Sequence, residues 1–199
     1  MFTLRKISTG SNVPSEGDQY NQLITLAQGG RLQRAAEAGR LFVIANQAAV
    51  ATTAGLATTW TGLGVNNPAN SGKNFIFHEF GWSLSLAGPA AGVVGLMSAD
   101  STGMAAALTA RNRKSGGAAS VSYCDDGATI GTPVLEQVLG SYGTAATTAF
   151  QGIPLVPIDL KGSIVLVPGR SLLTYTTTAC TAAFLFHFIW EEVPEFTAQ

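Results

Sequence analysis

Residues 182–192 read Ala-Ala-Phe-Leu-Phe-His-Phe-Ile-Trp-Glu-Glu, and this run decides the fold class. Side chains alternate along a strand, so Phe184, Phe186, Phe188 and Trp190 share one face while Leu185, His187 and Ile189 share the other. A strand that is apolar on both faces is buried on both, inside a sandwich or between subunits. The four aromatic residues are therefore candidates for a core or for a contact between copies of the chain. Just upstream, Ile164 to Val167 is a short β-branched run, and Pro168-Gly169 follows as a turn signal. Proline presets φ for the first central turn position and glycine accepts the positive φ of the second. Leu172 to Thr178 reads as a returning strand, so the expectation here is a hairpin.

Working outward, Asn66-Asn67-Pro68-Ala69-Asn70-Ser71-Gly72-Lys73 is a dense turn cluster that leads into a long strand, Asn74 to Leu86. Strict alternation puts Ile76, His78, Phe80, Trp82, Leu84 and Leu86 on one face, with Phe75, Phe77, Glu79, Ser83 and Ser85 on the other. Gly81, amid bulky residues, is the expected place for a bulge or bend. Leu41 to Ile44, Ala91 to Ser98, Ala119 to Cys124 and Val134 to Tyr142 are further strand-like runs, and Asp125-Asp126-Gly127 reads as a hairpin-type turn. About eight such runs lie between residues 41 and 192, the pattern of an all-β antiparallel sandwich or jelly roll.

The beginning of the chain differs. Residues 1–20 have no sustained period and read as an extended arm, whose apolar residues Phe2, Leu4, Ile7, Val13 and Tyr20 give it something to dock with. Arg31 to Ala38 holds good helix formers, with Gly39 where a C-cap glycine would sit; continuation as strand is the alternative. The expected organisation is an arm and short connecting segment over 1–39 and a β domain over 40–199.

Charged residues are 12% of the 199, against roughly 25% in an average soluble domain. A surface that poor in charge is weakly protected against association, so an oligomer or larger assembly is expected. The net charge of −1 argues against a nucleic-acid partner, and the one cationic cluster, Arg111-Asn112-Arg113-Lys114, reads as a solvated loop. No run of about 18 apolar residues could form a membrane-spanning helix, and residues 1–20 contain no apolar signal core. Cys124 and Cys180 are expected as two free thiols, with a disulfide between them as the alternative.

No catalytic constellation can be assembled. His78 and His187 sit among aromatic residues without ligand spacing, so core or interface imidazoles are expected rather than a metal pair. Asp125-Asp126 suits a turn, and Glu191-Glu192 a strand end. No serine stands in a Gly-x-Ser-x-Gly elbow, and Gly62-Leu63-Gly64 lacks the helix and lysine of a phosphate loop. Neither enzyme activity nor a cofactor or metal is expected. A receptor- or carbohydrate-binding module on the same architecture would need exposed aromatics and loop-tip amides, for which Trp60, Asn66, Asn67 and Asn70 are the candidates.

Three motifs in order carry a resemblance. They are Asn67-Pro68…Ser71-Gly72-Lys73 before a long apolar strand, Asp159-Leu160-x-Gly162-x-Ile164-x-Leu166-x-Pro168-Gly169 before a Thr-rich strand, and Phe188-x-Trp190-Glu191-Glu192-x-Pro194 at the close. Over residues 40–194 the chain resembles the small jelly-roll structural proteins of tailed bacteriophages, in which a TNF-like jelly roll forms trimers. The resemblance implies a virion protein, most of all a capsid decoration (cement) protein. It would be a homotrimer bound to the major capsid protein or another virion protein, with no membrane or nucleic-acid partner. Phe184, Phe186, Phe188 and Trp190 would then lie in the core or on the trimer axis, and residues 1–39 would carry the contact to the shell. A phage fibre or receptor-binding jelly roll is the alternative.

Overall fold

The computed structural model describes residues 32–85, 91–100, 103–143 and 157–195; Phe2, Leu4, Ile7, Val13, Tyr20 and Leu86 lie outside the described residues. The chain divides into two units, Met1–Arg34 and Ala35–Gln199, and the sandwich is the second. One short helix, α1 (Gln33–Glu37), precedes eleven strands among the described residues. Gly39, at φ +71°, donates to the Ala36 carbonyl, and Arg40 donates to that of Ala35. This pair of bonds satisfies the last helical carbonyls and needs the left-handed residue that glycine supplies, so the helix ends as its sequence signals.

The strands are β1 (Leu41–Ala45), β2 (Val50–Thr52), β3 (Thr59–Asn67), β4 (Lys73–Leu84), β5 (Gly92–Asp100), β6 (Arg111–Asn112), β7 (Tyr123–Thr129), β8 (Val134–Tyr142), β9 (Ile158–Leu166), β10 (Arg170–Thr176) and β11 (Cys180–Pro194). They form two antiparallel sheets, a six-stranded one ordered β6-β1-β11-β4-β9 with β2 also on β11, and a five-stranded one ordered β7-β3-β10-β5-β8. Leaving out β2, β6 and β7, the eight strands of β1-β11-β4-β9 and β3-β10-β5-β8 run 1-8-3-6 and 2-7-4-5 in chain order. The fold is an all-β sandwich.

The aromatic face of β11 fills the space between the sheets. Phe184, Phe186, Phe188 and Trp190 are buried there with Phe75, Phe77 and Phe80 of β4, facing Leu63, Val65, Val94, Leu96 and Leu172 of the other sheet. Rings meet at short range: Phe184 and Phe186 stack with centroids 5.2 Å apart, and Phe80 and Phe188 lie at 5.0 Å. Each such side chain contributes about 1.5–3 kcal/mol by leaving water, with a further increment from ring geometry. The β11 quartet is thus occupied within the chain, and only the opposite face of β11 remains to meet another molecule.

Three local expectations are corrected. The bulge in β4 falls at His78, not Gly81: Phe77 and Glu79 pair with Trp190 and Ile189, which are adjacent in β11, leaving His78 extra. That insertion shifts the phase, so Phe75 and Phe77 point inward before it, and Phe80 and Trp82 after it. The two halves of Asn74 to Leu84 therefore share the core, rather than lying on opposite faces. Secondly, Pro168-Gly169 does not close a hairpin. β9 pairs with β4 and β10 with β3 and β5, so the turn carries the chain across the sandwich from one sheet to the other. Thirdly, Asp125-Asp126-Gly127 lies inside β7 as an irregularity opposite Thr61 to Gly64, with the Asp125 carboxylate accepting from its own next two amides.

The Asn-Pro-x-x-Ser-Gly-Lys motif acts as a clasp at the end of the sandwich. The Asn67 side-chain amide donates to the carbonyls of Lys73 at 2.8 Å and Leu166 at 2.9 Å, and the Asn67 backbone carbonyl accepts from the Gly169 amide. The β3–β4 turn is thereby tied to the β9–β10 turn. Beside it, Lys73 Nζ reaches the buried carboxylate of Glu192 at 2.8 Å, which also accepts from the Ser120 hydroxyl and the Val121 amide. A buried charge is tolerated because it is paired and fully hydrogen-bonded.

Candidate functional site

The two sheets present very different outer faces. On the five-stranded sheet, Trp60 lies across the strand backbone with Leu173, Met97 and Ala99, and Met104 and Ile130 from the adjoining loops complete a second buried cluster. The Trp60 indole donates to the Thr174 carbonyl at 2.9 Å. Gly62 and Gly64 form its floor, since a Cβ at Gly64 would stand 2.9 Å from the Trp60 ring and 2.8 Å from Met104 Cε. This cluster covers the middle of that sheet, while Tyr123 of β7 and Val134, Leu135 and Val138 of β8 stay exposed at its edges.

The six-stranded sheet packs its inner face on the other sheet, and its outer face is arranged in rows. Register places Leu41, Glu191, Ile76 and Val165 in one row across β1, β11, β4 and β9, and Val43, Ile189 and Glu79 in the next. Ala45, His187 and Gly81 form a third row, with Leu185 beside Ser83 beyond it. Val165 is 51% exposed, Val167 49% and Leu185 36%, whereas Leu41 and Ile189 are buried at 5% each.

Both histidines lie on this face. The bulge turns His78 and Glu79 outward together, and neither ring nitrogen of His78 has a hydrogen-bond partner; its Nε2 stands 3.5 Å from Glu191 Oε2. His187 packs flat over Gly81, where any Cβ would overlap the ring, and its Nε2 lies 3.0 Å from Glu79 Oε1. Arg40 bridges to the other oxygen of Glu191 at 2.9 Å. Sequence reasoning read the histidines as core or interface imidazoles, and it missed their carboxylate partners. Those depend on the β4–β11 register and the bulge.

The remaining candidates are structural. Trp60 and Asn66 are each 2% exposed and Asn67 is fully buried, which leaves Asn70 alone of the four carbohydrate-binding candidates at the surface. Asp125 is buried and accepts from the Ala105 amide at 2.9 Å, serving a loop rather than pairing with the exposed Asp126. Cys124 and Cys180 are free and buried, and burial pushes the Cys124 thiol up to about 12. Among the described residues no three His, Cys, Asp or Glu side chains converge as a metal site. Comparison with protein-family models, curated proteins and solved structures found no match.

Proposed function

We propose that this chain is a virion structural protein, a capsid decoration (cement) protein with a jelly-roll fold, which works as a homotrimer on a shell of major capsid protein. The observation that carries the reading is an all-β sandwich with the strand order 1-8-3-6 and 2-7-4-5 on a chain with only 12% charged residues and several exposed large apolar side chains. The occupant of that apolar surface is another copy of the chain, which in a trimer meets it head-to-tail with a different part of its own surface. The strand order 1-8-3-6 and 2-7-4-5 supports the jelly-roll resemblance. A decoration protein acts by burying area, tying neighbouring capsomers together, and charge-poor faces suit such permanent contacts.

Two measurements test the proposal together. Immunogold labelling of intact virions with antibody to the full chain should decorate the head, and solution mass should be three times that of the chain. Removing residues 2–20 should leave the trimer and abolish shell binding. A monomer with no label on virions contradicts the proposal. A trimer that labels only tail tips replaces it with the fibre or receptor-binding alternative.

A further inference from the structure

The outermost strand of the six-stranded sheet, β6, carries cations that the chain itself does not neutralise. Asn112 pairs with Phe42 and Arg111 with Val43, and the Arg113 amide donates to the Leu41 carbonyl at 2.8 Å. Phe42 points into the core, so Arg111 and Arg113 leave the edge on the side away from it, two residues and roughly 6.5 Å apart. Lys114 follows them, and all three residues are exposed. We propose that this edge docks an extended acidic segment of a partner protein, with carboxylates at alternate positions meeting Arg111 and Arg113. Such docking does not depend on whether the chain sits on a shell.

What fixes this corner is uncharged. The Asn112 side-chain amide donates to the carbonyls of Gly39 and Ala118, both at 2.8 Å, and its oxygen accepts from the Lys114 amide at 2.9 Å. Gly117 leaves room for it, since a Cβ there would stand 2.7 Å from Asn112 Cγ. Lys114 Nζ donates to the Glu37 carbonyl at the end of α1 at 2.9 Å. The guanidinium groups of Arg111 and Arg113 take no part in this. They enter no ion pair among the described residues, where Arg40, Lys73 and Arg170 are each matched to a carboxylate. Lys161, also exposed and unmatched, stands alone on β9 at the far edge of the sheet. Two unmatched guanidinium groups side by side make a local positive field, and their planar forks suit carboxylates. Side chains two apart on one strand meet side chains two apart on an adjoining extended chain, and opposite charges placed so attract. β6 ends the strand order, so no further strand covers its outer edge. The field is narrow: Glu191 lies two strands in, in the Leu41 row, and the whole chain carries −1. A short acidic segment fits it better than the dense phosphates of a nucleic acid.

The test is fluorescence anisotropy of a labelled peptide of alternating glutamate and threonine, titrated with the full chain at low ionic strength, where surface charges are least screened. It should bind more tightly than a peptide of the same composition with its glutamates in one block. Arg111→Gln/Arg113→Gln, checked for folding by near-ultraviolet circular dichroism, should weaken binding about tenfold, the combined effect of two opposite-charge cross-strand pairs. Lys161→Gln should leave it unchanged. On the unaltered chain, the same peptide should slow amide hydrogen exchange at residues 111–114 and not in β9, which decides the matter if the double variant fails to fold. No binding, or binding undiminished in the double arginine variant, overturns the inference. An equal loss in Lys161→Gln overturns it by marking diffuse attraction. Single-stranded DNA that binds the same residues more tightly than the peptide also overturns it, in favour of a nucleic-acid partner.

Discussion

The outer faces of the two sheets are built from the same strand grammar and end in different states. On the five-stranded sheet, a single Trp60 laid over Gly62 and Gly64 with Met104 and Ile130 covers the middle strands within the chain, and the edge strands β7 and β8 keep Tyr123, Val134, Leu135 and Val138 exposed. On the six-stranded sheet, Leu185, Val165 and Val167 stay exposed around two imidazole–carboxylate pairs. A sheet buried on both faces reads the same in sequence whichever way the second face is covered. What differs is where the apolar side chains stay exposed: on the edge strands β7 and β8 of one sheet, and at Val165, Val167 and Leu185 beside the other.

The comparison can be broken from either side, and effects on the isolated chain rank as follows. Trp60→Ala removes the cover of the middle strands and should cost about 3–5 kcal/mol in urea unfolding while leaving the association state of folded molecules unchanged. Gly64→Ala forces a methyl against Trp60, Leu173 and Met104 and should cost about 1–3 kcal/mol. Between the sheets, Cys124 gives an effect that depends on pH. Its thiol is held at about 12 in the folded chain against 9.0 ordinarily, so the unfolded chain loses this proton first as pH rises. Stability should therefore fall between pH 9 and 12, and Cys124→Ala should lessen the slope of unfolding free energy with pH. Smallest for the isolated chain is the pair Leu185→Glu and Val165→Glu on the six-stranded sheet, expected within about 0.5 kcal/mol of the parent stability. Their effect on association should be the largest of all.

Much of this was legible in the chain itself. The β11 alternation announces a strand apolar on both sides, Val134 to Tyr142 forms a strand with those bounds, and Gly39 ends α1 where a C-cap glycine should. The misses share a cause: alternation is a local rule, while pairing partners are not local. Phe75-x-Phe77 followed by Phe80-x-Trp82 already carries the phase break of a bulge, yet only the β11 register assigns it to His78 rather than Gly81. Pro168-Gly169 is a tight turn in either role, and whether it joins neighbours or crosses the sandwich depends on β4 and β3. Trp60 looked like a loop-tip aromatic because the two glycines beneath it signal a turn as readily as a floor. The His187–Glu79 pair spans 108 residues and has no local signature.

The most direct measurement of the central claim is solution mass by light scattering, for the full chain and for the Leu185→Glu/Val165→Glu variant. The account predicts a trimer for the parent chain and a folded monomer for the variant. A monomeric parent, or a variant that assembles as well as the parent, would contradict it.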